Sequence, residues 1–210
     1  MPMKISNHRL DADSARHLES PNQGGPYAAG ALDTVIIHYT AGATAAEAID
    51  ILCDPRREVS AHLVVDHSGA LTQLLPFDVI GWHAGQSRWG ARESLNRNAV
   101  GIEIVNAGQL EARDGCFASW KGDEYRAAEV VEAVHRHQTE PTFWHRFTEA
   151  QVSVVESVCA LLVREYGITH ILGHDEVAPG RKIDPGPAYP LDLLRARVLP
   201  APSVLPGTGS

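Results

Sequence analysis

Cysteine is scarce in this chain and follows no pattern. Three occur in 210 residues (Cys53, Cys116 and Cys159). The number is odd, the spacing wide, and no CxxC is present, which excludes a disulfide framework and a thiolate metal site and suits buried thiols in a reducing compartment. No apolar run approaches the roughly 18 residues that a bilayer-spanning helix needs. The opening stretch, MPMKISNHRLDADSARHLES, has no apolar segment of the kind that heads a secretory signal. No membrane insertion is therefore expected, and the expected setting is cytoplasmic, with release by lysis or non-classical export as the other routes. Bases are the minority, 18 against 26 acids, for a net charge of −8. No Lys/Arg cluster stands ready to grip phosphates, so nucleic acid is not an expected partner. A GxSxG nucleophile elbow is also missing, and nothing argues for a Ser or Cys nucleophile.

What is present is ordinary in bulk and unusual in one residue. Hydrophobic residues make up 44% and charged residues 21%, a globular composition at a length that suits one domain. Histidine is frequent, with eleven copies, which directs attention to metals and proton transfer. Residues 1–32 read as a polar N-terminal arm, 33–198 as the domain, and 199–210 (LPAPSVLPGTGS) as a flexible C-terminal tail.

Hydrophobic patterning predicts an α/β fold, a mixed central sheet flanked by helices. Thr34–Tyr39 (TVIIHY) and Ala99–Asn106 (AVGIEIVN) read as buried strands. His62–Asp66 and Leu71–Leu75 read as a hairpin about His67-Ser68-Gly69. A capping box from Thr44 to Glu47 opens a helix that stops before Pro55. The clearest helix has Thr148 as N-cap, Gln151 as its box partner and a Phe147–Val152 staple. It carries Val152, Val155, Cys159, Leu162 and Tyr166 on one face, and Gly167 ends it. Thr169–Leu172 is a last strand. Asp123–Thr139 suggests a helix, but its apolar spacing is irregular.

Three residues stand out as ligands. His38 ends one buried strand, His174 closes another, and Asp184 lies in the stiff loop GHDEVAPGRKIDPGPAYP. Two imidazoles and a carboxylate would give Zn2+ three protein ligands and leave a fourth position open for water. The competing reading is a pair of packed core histidines and an Asp that merely forms a turn.

The segments TVIIHYTAG, SAHLVVDHSG, WHAG, AVGIEIVN and GHDEVAPGRKIDPGPA, in that order, resemble the zinc-dependent N-acetylmuramoyl-L-alanine amidases. This type-2 amidase family includes the peptidoglycan recognition proteins and phage amidase-type lysozymes, and the resemblance spans about Thr34 to Leu194. It implies that His38, His174 and Asp184 hold zinc near the strand ends, that Glu103 is the acid/base carboxylate, and that Lys182 faces the scissile carbonyl. Some phage members carry tyrosine where this chain has Ala61, which places more of the proton transfer on Glu103. The chemistry is consistent. A carboxylate inside the apolar AVGIEIV strand is costly unless partnered or functional, and a lysine can balance a developing oxyanion. Trp82 and His83 of WHAG, Arg92 of the QSRWGARESLNRN loop and Asn98 at its end are candidate substrate contacts. Arg suits the carboxylates of peptidoglycan stem peptides. His62 reads as structural and His67 as a turn residue. His135 and His137 could in principle bind metal, but their segment reads as irregular and exposed.

The activity implied is hydrolysis of the amide between N-acetylmuramic acid and L-alanine, with peptidoglycan or muropeptide fragments as partners. One rival is a non-catalytic peptidoglycan-binding module, from which loss of zinc ligands would be expected. The other is a zinc amidase acting on another amide, which differs in its cleft loops.

Overall fold

A computed structural model describes residues 3–201. Of the segment read as a tail, residues 202–210 lie outside the described residues. The segment read as an arm is built into the fold. Ile5–Ser6 (β1) and Arg9–Leu10 (β2) pair as a short hairpin, and Ala15–His17 (β3) is an edge strand of the main sheet. Leu10 and Ala15 sit in the core.

The chain continues through Thr34–Tyr39 (β4), the helix Ala45–Cys53 (α1), Leu63–Val65 (β5) and Leu71–Gln73 (β6). A small ribbon, Arg88–Trp89 (β7) and Arg92–Glu93 (β8), precedes Ala99–Ile104 (β9). Gln109–Arg113 (β10), Cys116–Ala118 (β11), Glu124–Tyr125 (β12), Val130–Val134 (β13) and Pro141–His145 (β14) follow. The long helix Glu149–Tyr166 (α2), His170–Gly173 (β15), the single turn His174–Val177 (α3) and Leu191–Val198 (α4) complete the order.

The main sheet runs β15-β4-β9-β5-β6-β3. The first four strands are parallel, and β6 turns back antiparallel to β5. Alternation sorts their side chains between two faces. Val35, Ile37, Val100, Ile102 and Ile104 pack against Val155, Val158, Cys159 and Leu162 of α2. At roughly 1.5–3 kcal/mol per fully buried large aliphatic side chain, this interface is the main stabilising contact. The helix is delimited as its sequence dictates. Thr148 and Gln151 cap its start reciprocally, and Gly167, at φ 67°, ends it in the left-handed region. Ile36 faces the opposite side of the sheet, in a cluster with Ala84, Leu95 and Leu172, and alternation turns His38 to the same face.

Residues 109–145 overturn one expectation. The irregular helix suggested for Asp123–Thr139 is instead part of a five-stranded antiparallel sheet, β12-β11-β10-β14-β13. Val130–Val134 alternates between less and more exposed positions and pairs with Pro141–His145 over five residues. The Ala- and Glu-rich composition favours a helix locally, but non-local pairing prevails. Among the described residues no helix is long and apolar enough to cross a membrane.

Parallel strands deliver their C-terminal ends to one edge, the usual place for a site in an open α/β sheet. His38 is registered beside Glu103 across β4 and β9. His174 directly follows Gly173, which pairs with Ile37. Three neighbouring strands thus present two imidazoles and a carboxylate at the same level.

Candidate active site

His38 Nδ1, His174 Nδ1 and Asp184 Oδ2 form a small triangle. The two nitrogens are 2.9 Å apart, and the carboxylate oxygen is 3.0 Å from His38 and 2.9 Å from His174. All three residues are buried. Burial, and then the charge of His174, push the His38 imidazole down to about 4, which favours the neutral, ligating form. Burial alone would raise the Asp184 carboxyl, but the His174 and His38 rings packed against its Oδ2 hold it below its ordinary range. The Asp184 carbonyl also accepts from the Asp175 amide at 2.7 Å, which ties the loop to α3. Beneath that loop Gly186 lies flat on Trp144, where a Cβ would come within 2.7 Å of the indole.

The far ring nitrogens are held as well, which fixes the tautomers. His174 Nε2 donates to the Ala84 carbonyl at 3.1 Å. His38 Nε2 donates to His83 Nδ1 at 3.1 Å, and His83 Nε2 donates to the Ala99 carbonyl at 3.0 Å. Each chain of donors leaves an Nδ1 lone pair aimed into the triangle, the arrangement that orients metal-binding histidines. His83 therefore positions His38. Gly101 makes room for its ring, since a Cβ there would sit 2.4 Å from His83 Cγ. Sequence reasoning missed Gly101 and two further supports. Asn96 Oδ1 accepts from the His83 and Ala84 amides, and Arg181 donates to the Ala84 and Gln86 carbonyls. These are loop-to-loop bonds between segments with no periodic signal. We expect His83→Ala to weaken zinc binding about 10–100-fold, the usual cost of losing such a partner, with little change in unfolding of the metal-free protein. A competitive chelator titration measures it, and unchanged affinity would remove His83 from this role.

The triangle opens onto a cavity of about 360 Å³ that Trp82, His83, Glu103, Arg181 and Lys182 also line. Glu103 Oε2 is fully buried and has no hydrogen-bond partner. Burial, then the charge of Asp184, raise its carboxyl well above the ordinary value, and Lys182 opposes them. Lys182 lines the same cavity as this carboxylate. Glu176, an acid six residues before Lys182, is paired with Arg136 and Arg195.

Two predicted contacts are not brought to the cavity. Arg92 Nη1 binds both oxygens of Asp33, at 2.7 and 2.8 Å. Asn98 Nδ2 donates to the Ala31 carbonyl. Asp33 and Asn98 precede the first residues of β4 and β9, whereas His38 and Glu103 lie near the last. At about 3.3 Å per residue the two ends are roughly 15 Å apart. His62 is structural: Nε2 donates to the Val79 carbonyl and Nδ1 accepts from the Gly101 amide. His67 faces the Ala43 carbonyl. His135 and His137 bind Asp175 through its side chain and its carbonyl, respectively, so neither joins a metal cluster.

A mixed sheet whose strand ends present two imidazoles and one carboxylate to an open cavity defines an α/β protein with a cleft whose side chains could hold a metal ion. Residues 28–187 match the family model described as N-acetylmuramoyl-L-alanine amidase, and the chain belongs to that family. It is 30% identical over 143 residues to the 1,6-anhydro-N-acetylmuramyl-L-alanine amidase AmpD of Escherichia coli, covering 67% of this chain and 58% of that protein. To the N-acetylmuramoyl-L-alanine amidase AmiD of the same organism it is 27% identical over 172 residues, 78% of this chain and 52% of that one. The chain thus spans little more than half the length of these relatives. Among solved structures, a selenomethionine derivative of AmpD superposes with TM-score 0.63 at 24% identity, over 93% of this chain and 99% of that one. AmiD from E. coli in complex with anhydro-N-acetylmuramic acid-L-Ala-D-γ-Glu-L-Lys gives 0.62 at 23%, over 95% and 66%. These structures share the fold.

Proposed function

We propose that the chain is a zinc-dependent amidase that hydrolyses the bond between the lactyl group of N-acetylmuramic acid and L-alanine, in muropeptide fragments. The observation that carries this reading is the juxtaposition of the His38–His174–Asp184 triangle with Glu103, whose buried Oε2 lacks a protein partner. Two neutral imidazoles and one carboxylate suit zinc and leave room for water and substrate. Zinc bound there supplies Lewis acidity and a water activated near neutral pH.

The chain's own residues do the rest. Glu103 accepts a proton at Oε2 from the attacking water and returns it to the departing alanine nitrogen. Its raised proton affinity suits the second half of that task, and a cation in the triangle would lower the affinity for the first. The Lys182 ammonium balances negative charge that builds on the carbonyl oxygen. His83 keeps His38 in register. Trp82 forms part of the wall against which substrate packs. Water adds to the carbonyl carbon, the carbon–nitrogen bond breaks, and the products are a muramic acid carboxylate and a free alanine amine.

Relatives named 1,6-anhydro-N-acetylmuramyl-L-alanine amidase support soluble anhydromuropeptides as the substrate. The test is mass spectrometry of products from purified anhydromuropeptides and, separately, from intact sacculi. Free stem peptide and peptide-free anhydromuramic acid are expected from the first, at a much higher rate than any release from the second. Cleavage elsewhere in the fragments, or none, would overturn the reading.

A further inference from the structure

Beside the metal-facing cavity lies a second hollow of about 400 Å³, within the usual range for small-molecule sites. The two share Tyr39, Ala41 and Ile183 as a dividing wall. The outer side of the hollow is Trp120, in the turn after β11. Its side chain is 73% exposed, an unfavourable position for so large an apolar ring unless something covers it. The ring is nevertheless held. Nε1 donates to the Ala41 carbonyl at 2.9 Å, and Ala41 itself holds a positive φ of 52°, uncommon for a residue with a Cβ. The Lys121 ammonium sits over the ring, 5.7 Å from its centroid, and is tied to Glu47 at 3.2 Å. Gln109 and Glu111, on the same side of β10, supply an amide and a carboxylate.

A fixed aromatic plate with flanking hydrogen-bonding groups suits a ring that has an apolar face and polar edges. We propose that this hollow is a glycan subsite. A pyranose of the muramyl glycan lays its C–H face on Trp120 and directs hydroxyls to Gln109 and Glu111. The charge of the lining argues against the stem peptide. The lining carries the Glu111 carboxylate and no cation, and the Lys121 ammonium over the Trp120 ring is already paired with Glu47, so the hollow favours an uncharged ring over the carboxylates of a stem. Gln109, Glu111 and Trp120 all come from the second sheet and its turns, which gives the 107–147 segment a role in recognition. The identity of the glycan rests on the amidase reading.

The test is calorimetric binding of a peptide-free N-acetylglucosaminyl–anhydromuramic acid disaccharide to the zinc-loaded protein. Trp120→Ala should weaken it about tenfold, the size of one aromatic stacking contact, while Trp120→Phe, which keeps a ring, should retain most of the affinity. Equal affinity in wild type and Trp120→Ala, or no binding by wild type, would overturn the subsite. So would a loss confined to a glycan-free tripeptide stem. The probe has no amide to cleave, so failure of the amidase reading would show separately, as an absence of products from muropeptides.

Discussion

Glu103→Gln keeps its zinc and loses nearly all turnover. The carboxylate is not a vertex of the ligand triangle, so metal content should match the wild type. The amide has the same size and fills the same space, but it cannot take up and release a proton at Oε2. Positioned acid–base groups contribute about 10²–10⁴-fold to rate. The upper part of that range is expected here, because Glu103 is the one carboxylate lining the cavity besides Asp184. Stability should not fall. The wild-type carboxyl is buried without a partner oxygen or amide at Oε2, and a neutral group is less costly to bury than an ionised one. Elemental analysis alongside chromatographic turnover decides the matter. Zinc and activity lost together would turn Glu103 into a ligand or a structural residue, and turnover within threefold of wild type would place the acid/base elsewhere.

Glu103 was named through the family resemblance, and an acid within AVGIEIV, at odds with its surroundings, supported that assignment. The helix α2 was legible directly, since its start, face and end are each written in local residues. His38, His174 and Asp184 were legible only through the order of motifs, since a strand-end histidine has no local signature that separates a ligand from a core residue. What failed was of two kinds. Residues 123–139 suggested a helix whose apolar spacing was irregular, but Val130–Val134 is held by partners at 141–145, and cross-strand pairing leaves little trace in a short window. Arg92 and Asn98 were chosen for charge and for their nearness in sequence to the cleft motifs. The loop containing them runs back along the sheet and finishes at the start of β9, so they stabilise the far ends of the strands. Asn96, Gly101 and Arg181 were missed because their roles are defined by neighbours, chiefly the backbone of the WHAG loop and the ring of His83, rather than by their own chemistry.

Asp184→Ala separates a metal ligand from a turn former. Removing a ligand should cost more affinity than the roughly 10–100-fold typical of a supporting partner, so dialysis against a mild chelator should strip the variant and spare the wild type. Unchanged zinc content would place the third ligand elsewhere. Metal loss alone does not exclude a loosened loop, so stability must be read with and without zinc. In chelator, Asp184 still contributes. Its carboxyl is held below the ordinary carboxylate range by His38 and His174, so its contribution is present above the unfolded-state value near 4 and is lost as pH falls through the lower folded-state value. The variant should therefore melt lower than wild type at neutral pH even without metal. Adding zinc stabilises whichever protein binds it, by about 4 kcal/mol when free zinc is a thousand times the dissociation constant. The wild type should rise by that order and the variant hardly at all, so the gap between the melting temperatures widens. A gap that stays constant as zinc is added would mean that Asp184 only braces the loop between Lys182 and Pro187, and that two imidazoles alone hold the ion.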